Sequence, residues 1–225
     1  MTPLVPATVL FGDVVDSRAD PGASAYLRTL RDELEATYGA GGLAPAGFTQ
    51  GDELQLLLAP GADPFAAVLR AALHPDAREL RWAIVAGDVL AGSGPATERT
   101  GPAFIAAREL LERAKARREG LLAVTGDAVA DALLQDLGPV LAALLAELTD
   151  RQREVARLLL IEGLRRAEAA ERLGVSRATV SVIATRGRVR HLASLAGALA
   201  RTFGDGVERA SRSVAAQAPT AVGAA

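Results

Sequence analysis

Apolar positions recur along this chain first in short runs with a period of two, broken by helical stretches, and later with helical spacing alone. Residues 5–13 alternate as a strand ending at Asp13, and residues 23–38 place Leu27, Leu30 and Leu34 on one helical face before Gly39, Gly41 and Gly42 end it. Residues 43–48 and 53–58 read as a hairpin around Gly51-Asp52, with Leu54, Leu56 and Leu58 on one face. A short helix follows over 63–73, with Asp63 as its N-cap and Pro64 at its first position. Residues 81–89 form a strand carrying Trp82 and Ile84, and the glycine-rich stretch 91–101 is a loop. Pro102 opens a long helix to about Arg118, followed by a short strand at 121–124 and a helix over 127–137. This order predicts an α/β (α+β) layer sandwich with a mostly antiparallel sheet.

Gly138-Pro139 interrupts the pattern, which sets domain boundaries at 1–138 and 139–203. Past that point the chain reads as all-helical. Val140 to Leu148 is apolar along one side, and Thr149 with Gln152 forms a capping box for a helix to about Glu162. Residues 166–173 make a short helix, Gly174 a turn, and Ser176 caps a helix to about Arg190. Residues 204–225, rich in Ala, Ser and Gly, are expected to form a disordered tail.

Charge sharpens this division. Residues 1–148 hold 12 basic and 20 acidic side chains, whereas residues 149–203 hold 11 basic and 5 acidic ones, a segregation expected of two modules with different partners. The chain has no cysteine, its start lacks the basic end of a signal peptide, and no apolar run approaches bilayer-spanning length. These features point to the cytoplasm. Lys115 is the only lysine, read here as codon bias.

Two acidic strand ends carry the candidate chemistry. Asp13 and Asp16 follow the apolar run Val9 to Phe11, and Gly51-Asp52-Glu53 occupies the hairpin tip. If the strands lie side by side, their ends share one acidic site. The alternative is a set of carboxylates capping strand ends and turns in a solvated cluster.

The sequence RRAEAAERLGVSRATVSVIATRGRVR, with LTDRQREVARLLLIEGL before it, resembles the helix-turn-helix of sigma-factor region 4 and similar regulators. The resemblance implies double-stranded DNA as partner, with the second helix in the major groove. It places Ser176, Arg177, Ala178, Ser181 and Val182 toward the bases and Arg186, Arg188 and Arg190 on phosphates. A helical hairpin used only for packing or dimerisation is the competing reading.

Four stretches, FGDVVDSR, QGDELQ, RWAIVAGDV and GPAFIAAREL, resemble in this order the SatD family of bacterial proteins, with Thr100 where the family pattern has an acid. More distantly they look like class III nucleotide cyclases and GGDEF-type domains, which share a ferredoxin-like palm. That resemblance implies that Asp13 and Asp52 hold Mg²⁺ or Mn²⁺. It makes Gly12, Gly51, Asp16 and Arg18 candidate nucleotide-binding positions, and Arg108 a group that stabilises phosphoryl charge. Glu53 is then a candidate general base or third ligand. The cyclase base-reading lysine and ribose-orienting asparagine are replaced by Phe48 and Phe104. The expected function is therefore a homodimeric transcription regulator that senses a nucleotide with metal. The alternative is an enzyme that makes or processes a nucleotide signal.

Overall fold

The computed structural model describes residues 2–17, 20–49 and 53–217. Five strands form one sheet: β1 (Leu4–Val14), β2 (Gly42–Thr49), β3 (Glu53–Leu58), β4 (Leu80–Leu90) and β5 (Leu121–Val124), in the order β2-β3-β1-β4-β5. The first four pair antiparallel in the split βαβ arrangement, and β5 adds in parallel to β4. Register shifts in β2 fall around Pro45, which has no amide proton to give a ladder.

Helices cover both faces. On one side lie α1 (Ala23–Tyr38), α2 (Phe65–Ala72) and α4 (Ala128–Ala146), whose Leu27, Leu30, Phe65, Leu134 and Leu141 pack with Leu10, Leu56 and Ile84 of the sheet. On the other side α3 (Pro102–Arg117) covers Val9, Phe11, Leu57 and Val85 with Phe104, Ala107, Leu110 and Leu111. The helical end follows as α5 (Asp150–Leu160), α6 (Arg166–Leu173), α7 (Arg177–Arg186) and α8 (Val189–Gln217). The Thr149/Gln152 capping box forms as expected.

Four expectations change. Gly138-Pro139 does not end a helix: α4 runs through it unbroken. A Cβ on Gly138 would stand 2.9 Å from the Leu121 carbonyl oxygen, so the glycine lets α4 lie directly against β5. That packing outweighs the hydrogen bond lost at Pro139. Joined in this way, α4 is a 19-residue helix long and apolar enough, by length and composition, to cross a membrane, although no such run was expected. Its inner face, with Leu134, Leu141 and Leu145, packs on the sheet layer and α8, while Val129, Leu133, Leu137 and Val140 are exposed. Residues 204–217 are helical, continuing α8 rather than a tail. Gly206 sits against Ala130, and Arg209 makes two 3.1 Å bonds to Asp127, the N-cap of α4. Finally, α7 stops at Arg186, Arg188 adopts a left-handed φ of 52°, and α8 begins at Val189.

The helical end is seated on the sheet layer by charge as well as by apolar contact. Glu33 of α1 pairs with Arg70 of α2 (3.2 Å) and with Arg157 of α5 (3.1 Å). The guanidinium of Arg153 donates to the Ala72 carbonyl at 3.0 Å, and Phe203 of α8 meets Phe65 edge-on. His74 lies beside this junction, its ring edge-on to Tyr26 and its Nδ1 accepting from the Asp76 amide.

Burial, aided by the nearby Arg157 charge, lowers the His74 pKa below its ordinary 6.5, against the opposing pull of Glu33 and Asp76. Below pH 6.5 the unfolded chain therefore binds this proton more readily than the folded one. The His74 contribution is complete above pH 6.5 and is lost as pH falls toward the folded value. Urea unfolding at about pH 7.5 and 5.5 should show a drop at the lower pH that shrinks in His74→Gln. An equal drop in the variant would assign it to other groups.

Candidate functional site

Two places carry the predicted chemistry. The first is where β1 ends beside the start of β3. Asp13 and Glu53 are direct register partners, so their side chains stand on the same face, the one covered by α3. Glu53 does not point outward: it is 5% exposed and binds Arg108 of α3 through both carboxylate oxygens. Gln55 donates to Glu53 Oε1 at 2.8 Å, and the Arg108 guanidinium lies 4.7 Å over the Phe11 ring. The Phe104 ring lies tilted beside the Phe11 ring, with centroids 6.0 Å apart. Asp13 pairs with the Lys115 ammonium at 3.2 Å. Burial opposes that charge, but Asp13 and Glu112 outweigh it and raise the lysine pKa above its usual value.

The structure thus brings Asp13, Glu53 and Arg108 together. Gly51, Asp52 and Arg18 lie outside the described residues. Asp16 is exposed in the turn after β1, at a left-handed φ of 54°. Gly12 faces the opposite side of the sheet, where a Cβ would stand 3.0 Å from Leu80 and Trp82, so packing accounts for this glycine. Phe48 is also across the sheet, under Arg31 of α1. Sequence reasoning missed Gln55 and Lys115. The signal for Lys115 was its place seven residues after Arg108, two turns along one helix face.

Adjacent carboxylates are donors that a hard divalent cation takes. Here each already holds a cation of α3, and among the described residues no group of three or more His, Cys, Asp or Glu converges on one point. An ion would take Asp13 and Glu53 oxygens only in exchange for those contacts.

The second place is the outer face of α7. Ser176 accepts from the Thr179 amide and starts the helix, and Val180 and Ala184 bury its inner side. Ser176, Arg177, Ala178, Val182 and Arg186 are exposed, with Ser181 partly so. Arg188 stands at the junction with α8 and pairs with Glu147 at 3.3 Å, and Arg190 is exposed in the first turn of α8. The two phosphate candidates after Arg186 are thus not on α7, because Gly187 and the left-handed Arg188 end it.

No curated protein matches this chain. Among solved structures it is similar to two of a bacterial light-regulated adenylyl cyclase. One has 14% identity and a TM-score of 0.41 over 54% of this chain and 76% of the other. The second has 13% identity and a TM-score of 0.38 over 55% and 44%. Residues 140–190, which hold the last seven residues of α4 and all of α5, α6 and α7, match the family model described as sigma-70, region 4.

Proposed function

We propose that this chain is a DNA-binding transcription regulator whose sheet domain senses a nucleotide together with Mg²⁺ or Mn²⁺. The observation that carries the DNA reading is the exposed face of α7, within the segment that matches sigma-70, region 4. Residues 139–203 act as the reading unit and residues 1–138 as the sensing unit, joined through α4. The carboxylate and cation cluster under α3 supports the sensing part, since triphosphate oxygens and a divalent ion call for both signs of charge. Sensing is favoured over turnover because Glu53 and Arg108 are bound to one another, which leaves neither poised as a base or a phosphoryl clamp. The reading includes a homodimer. The exposed α4 residues Val129, Leu133, Leu137 and Val140 would meet the exposed end of α8 from a second copy, whose Arg212 complements Asp136, the charge flanking that stripe. Two recognition helices would then address half-sites about 34 Å apart.

The test uses the full chain. Duplex DNA selected from a random pool should bind, and three phosphate-neutralising arginines per protomer, six in the dimer, give a salt slope of about −5.4, or about an 1,800-fold loss between about 50 and 200 mM salt. Sedimentation should show a dimer that Leu133→Glu dissociates. A mixed-nucleotide thermal shift with Mg²⁺ should add about 2.7 kcal/mol at about 100 times the dissociation constant. Absence of DNA affinity at low salt would refute the regulator reading. A monomer would remove the dimer alone, and no shift would remove the sensing part.

A further inference from the structure

Beside the outer face of α7, where α5 stops, α6 starts and α7 gives way to α8, the helical end leaves a cavity of about 370 Å³. Part of its wall is apolar, with Leu159 and Ala184. Every titratable side chain that lines it is basic: Arg166, Arg188, Arg190 and His191. The cavity next to His74 differs, since Asp150, Glu154 and Glu162 stand among its arginines. Arg166 and Arg190 are exposed, and neither forms an ion pair among the described residues. Arg188 has one acidic partner, Glu147 of the α4 C-terminus, in a largely solvated pair.

The break between α7 and α8 assembles this set. In one continuous helix Arg188 and Arg190 would point about 200° apart around the axis, so one of them would face away. Instead Arg188 takes a left-handed φ of 52°, a conformation costly for a residue with a side chain, and both arginines line the cavity. The opening turn of α8, Val189 to His191, borders it too. Amides at a helix start have no partner within the helix and draw anions.

We propose that this cleft is a phosphate-binding site, separate from the base-reading face of α7. Arg166 and Arg190 present planar forks that match phosphate oxygens, and His191 adds a ring N–H donor. Arg188 joins them by releasing Glu147, since a solvated ion pair holds weakly. Two sources carry this chemistry: a backbone phosphate of duplex DNA lying along α7, and the polyphosphate of a free nucleotide. The first rests on the reading of α7 as a DNA-binding helix; the phosphate site itself does not.

Two measurements on the full chain separate the sources. With the DNA backbone as source, Arg166 is a fourth phosphate-neutralising arginine per protomer. It steepens the salt slope of the dimer on selected duplex from about −5.4 to about −7.2, and Arg166→Gln should return it to about −5.4. With a free polyphosphate as source, pyrophosphate should bind in calorimetry, and Arg166→Gln should weaken it about tenfold while leaving the slope alone. Arg166→Gln should keep the parent's unfolding midpoint, because the side chain it changes is exposed and unpaired among the described residues. Arg117→Gln, at the exposed end of α3, controls for net charge and should alter neither measurement. A parent without DNA affinity would refute the regulator reading alone, and pyrophosphate binding weakened by Arg166→Gln would still support the cleft. Equal slopes in Arg166→Gln and the parent, together with pyrophosphate binding that is absent or unchanged, would overturn it. So would equal losses in Arg166→Gln and Arg117→Gln.

Discussion

Glu33→Ala is expected to cost about 3–5 kcal/mol of folding stability, measured by urea unfolding. Glu33 is the shared counter-charge of Arg70 and Arg157, and each of the three side chains is less than a quarter exposed. Arg70 Nε and Arg157 Nη1 are buried with no hydrogen-bond partner among the described residues, so these guanidiniums already depend on Glu33. Truncation would leave two partly buried positive charges facing one another across α2 and α5. Glu162, 3.7 Å from Arg157, compensates weakly because it is also shared with Arg172. The control is Asp32→Ala, one residue earlier, which removes an exposed pair with Arg31 and should change stability by less than about 1 kcal/mol. If the two variants lose equal stability, the junction between α1 and α5 is held by apolar contact, and the charges are incidental.

The second large effect concerns DNA. Arg177→Glu should lower affinity for selected duplex DNA about 100-fold with little change in unfolding midpoint. Arg177 is the first residue of α7 and is exposed; on the proposed reading of α7 as a recognition helix, this is the end from which side chains would reach base edges. Loss of one good base contact costs about 1–3 kcal/mol, and a carboxylate facing the groove adds repulsion, which together reach about 2.7 kcal/mol. Arg117→Glu, at the exposed end of α3 and outside both the α7 face and the proposed dimer contact, makes the same change in net charge and should have a small effect. Comparable losses in both variants would mean that the protein responds to net charge and that α7 is not the reading surface.

The sequence made the strands and α1 legible nearly to the residue, because their buried faces are written in leucine and valine at fixed periods. β3 was read as buried on one face through Leu54, Leu56 and Leu58, yet all six of its residues are buried because α3 covers the other face. That second covering is tertiary and leaves no period in the strand. Gly138-Pro139 misled for a related reason. Glycine and proline mark a break by local propensity, while contact with β5 decides the outcome. The Ala/Ser/Gly stretch after Phe203 was read as too poor to bury anything, but small residues are what allow α8 to approach Ala130 and Thr125 closely. At the site, the pairing of β1 with β3 was legible in the acids at their ends. The occupant of Asp13 was not, since it depends on how α3 is rotated over the sheet.

The unbroken α4 is a stiff arm that joins the sheet layer to the helical end. Its 19 residues span about 28 Å from the Asp127 cap beside β5 to Ala146, three residues short of the Thr149 cap of α5. A tilt of about 5° at the sheet end would displace the far end by about 2.5 Å, the scale on which helices shift in switching proteins. α8 lies back along α4 and is fastened at Asp127, forming a second strut that resists twisting of the helical end about the first. Pro139, which lacks the amide that would bond one turn back, is the compliant point of this linkage, so its stiffness is set by one ring in the middle of the arm.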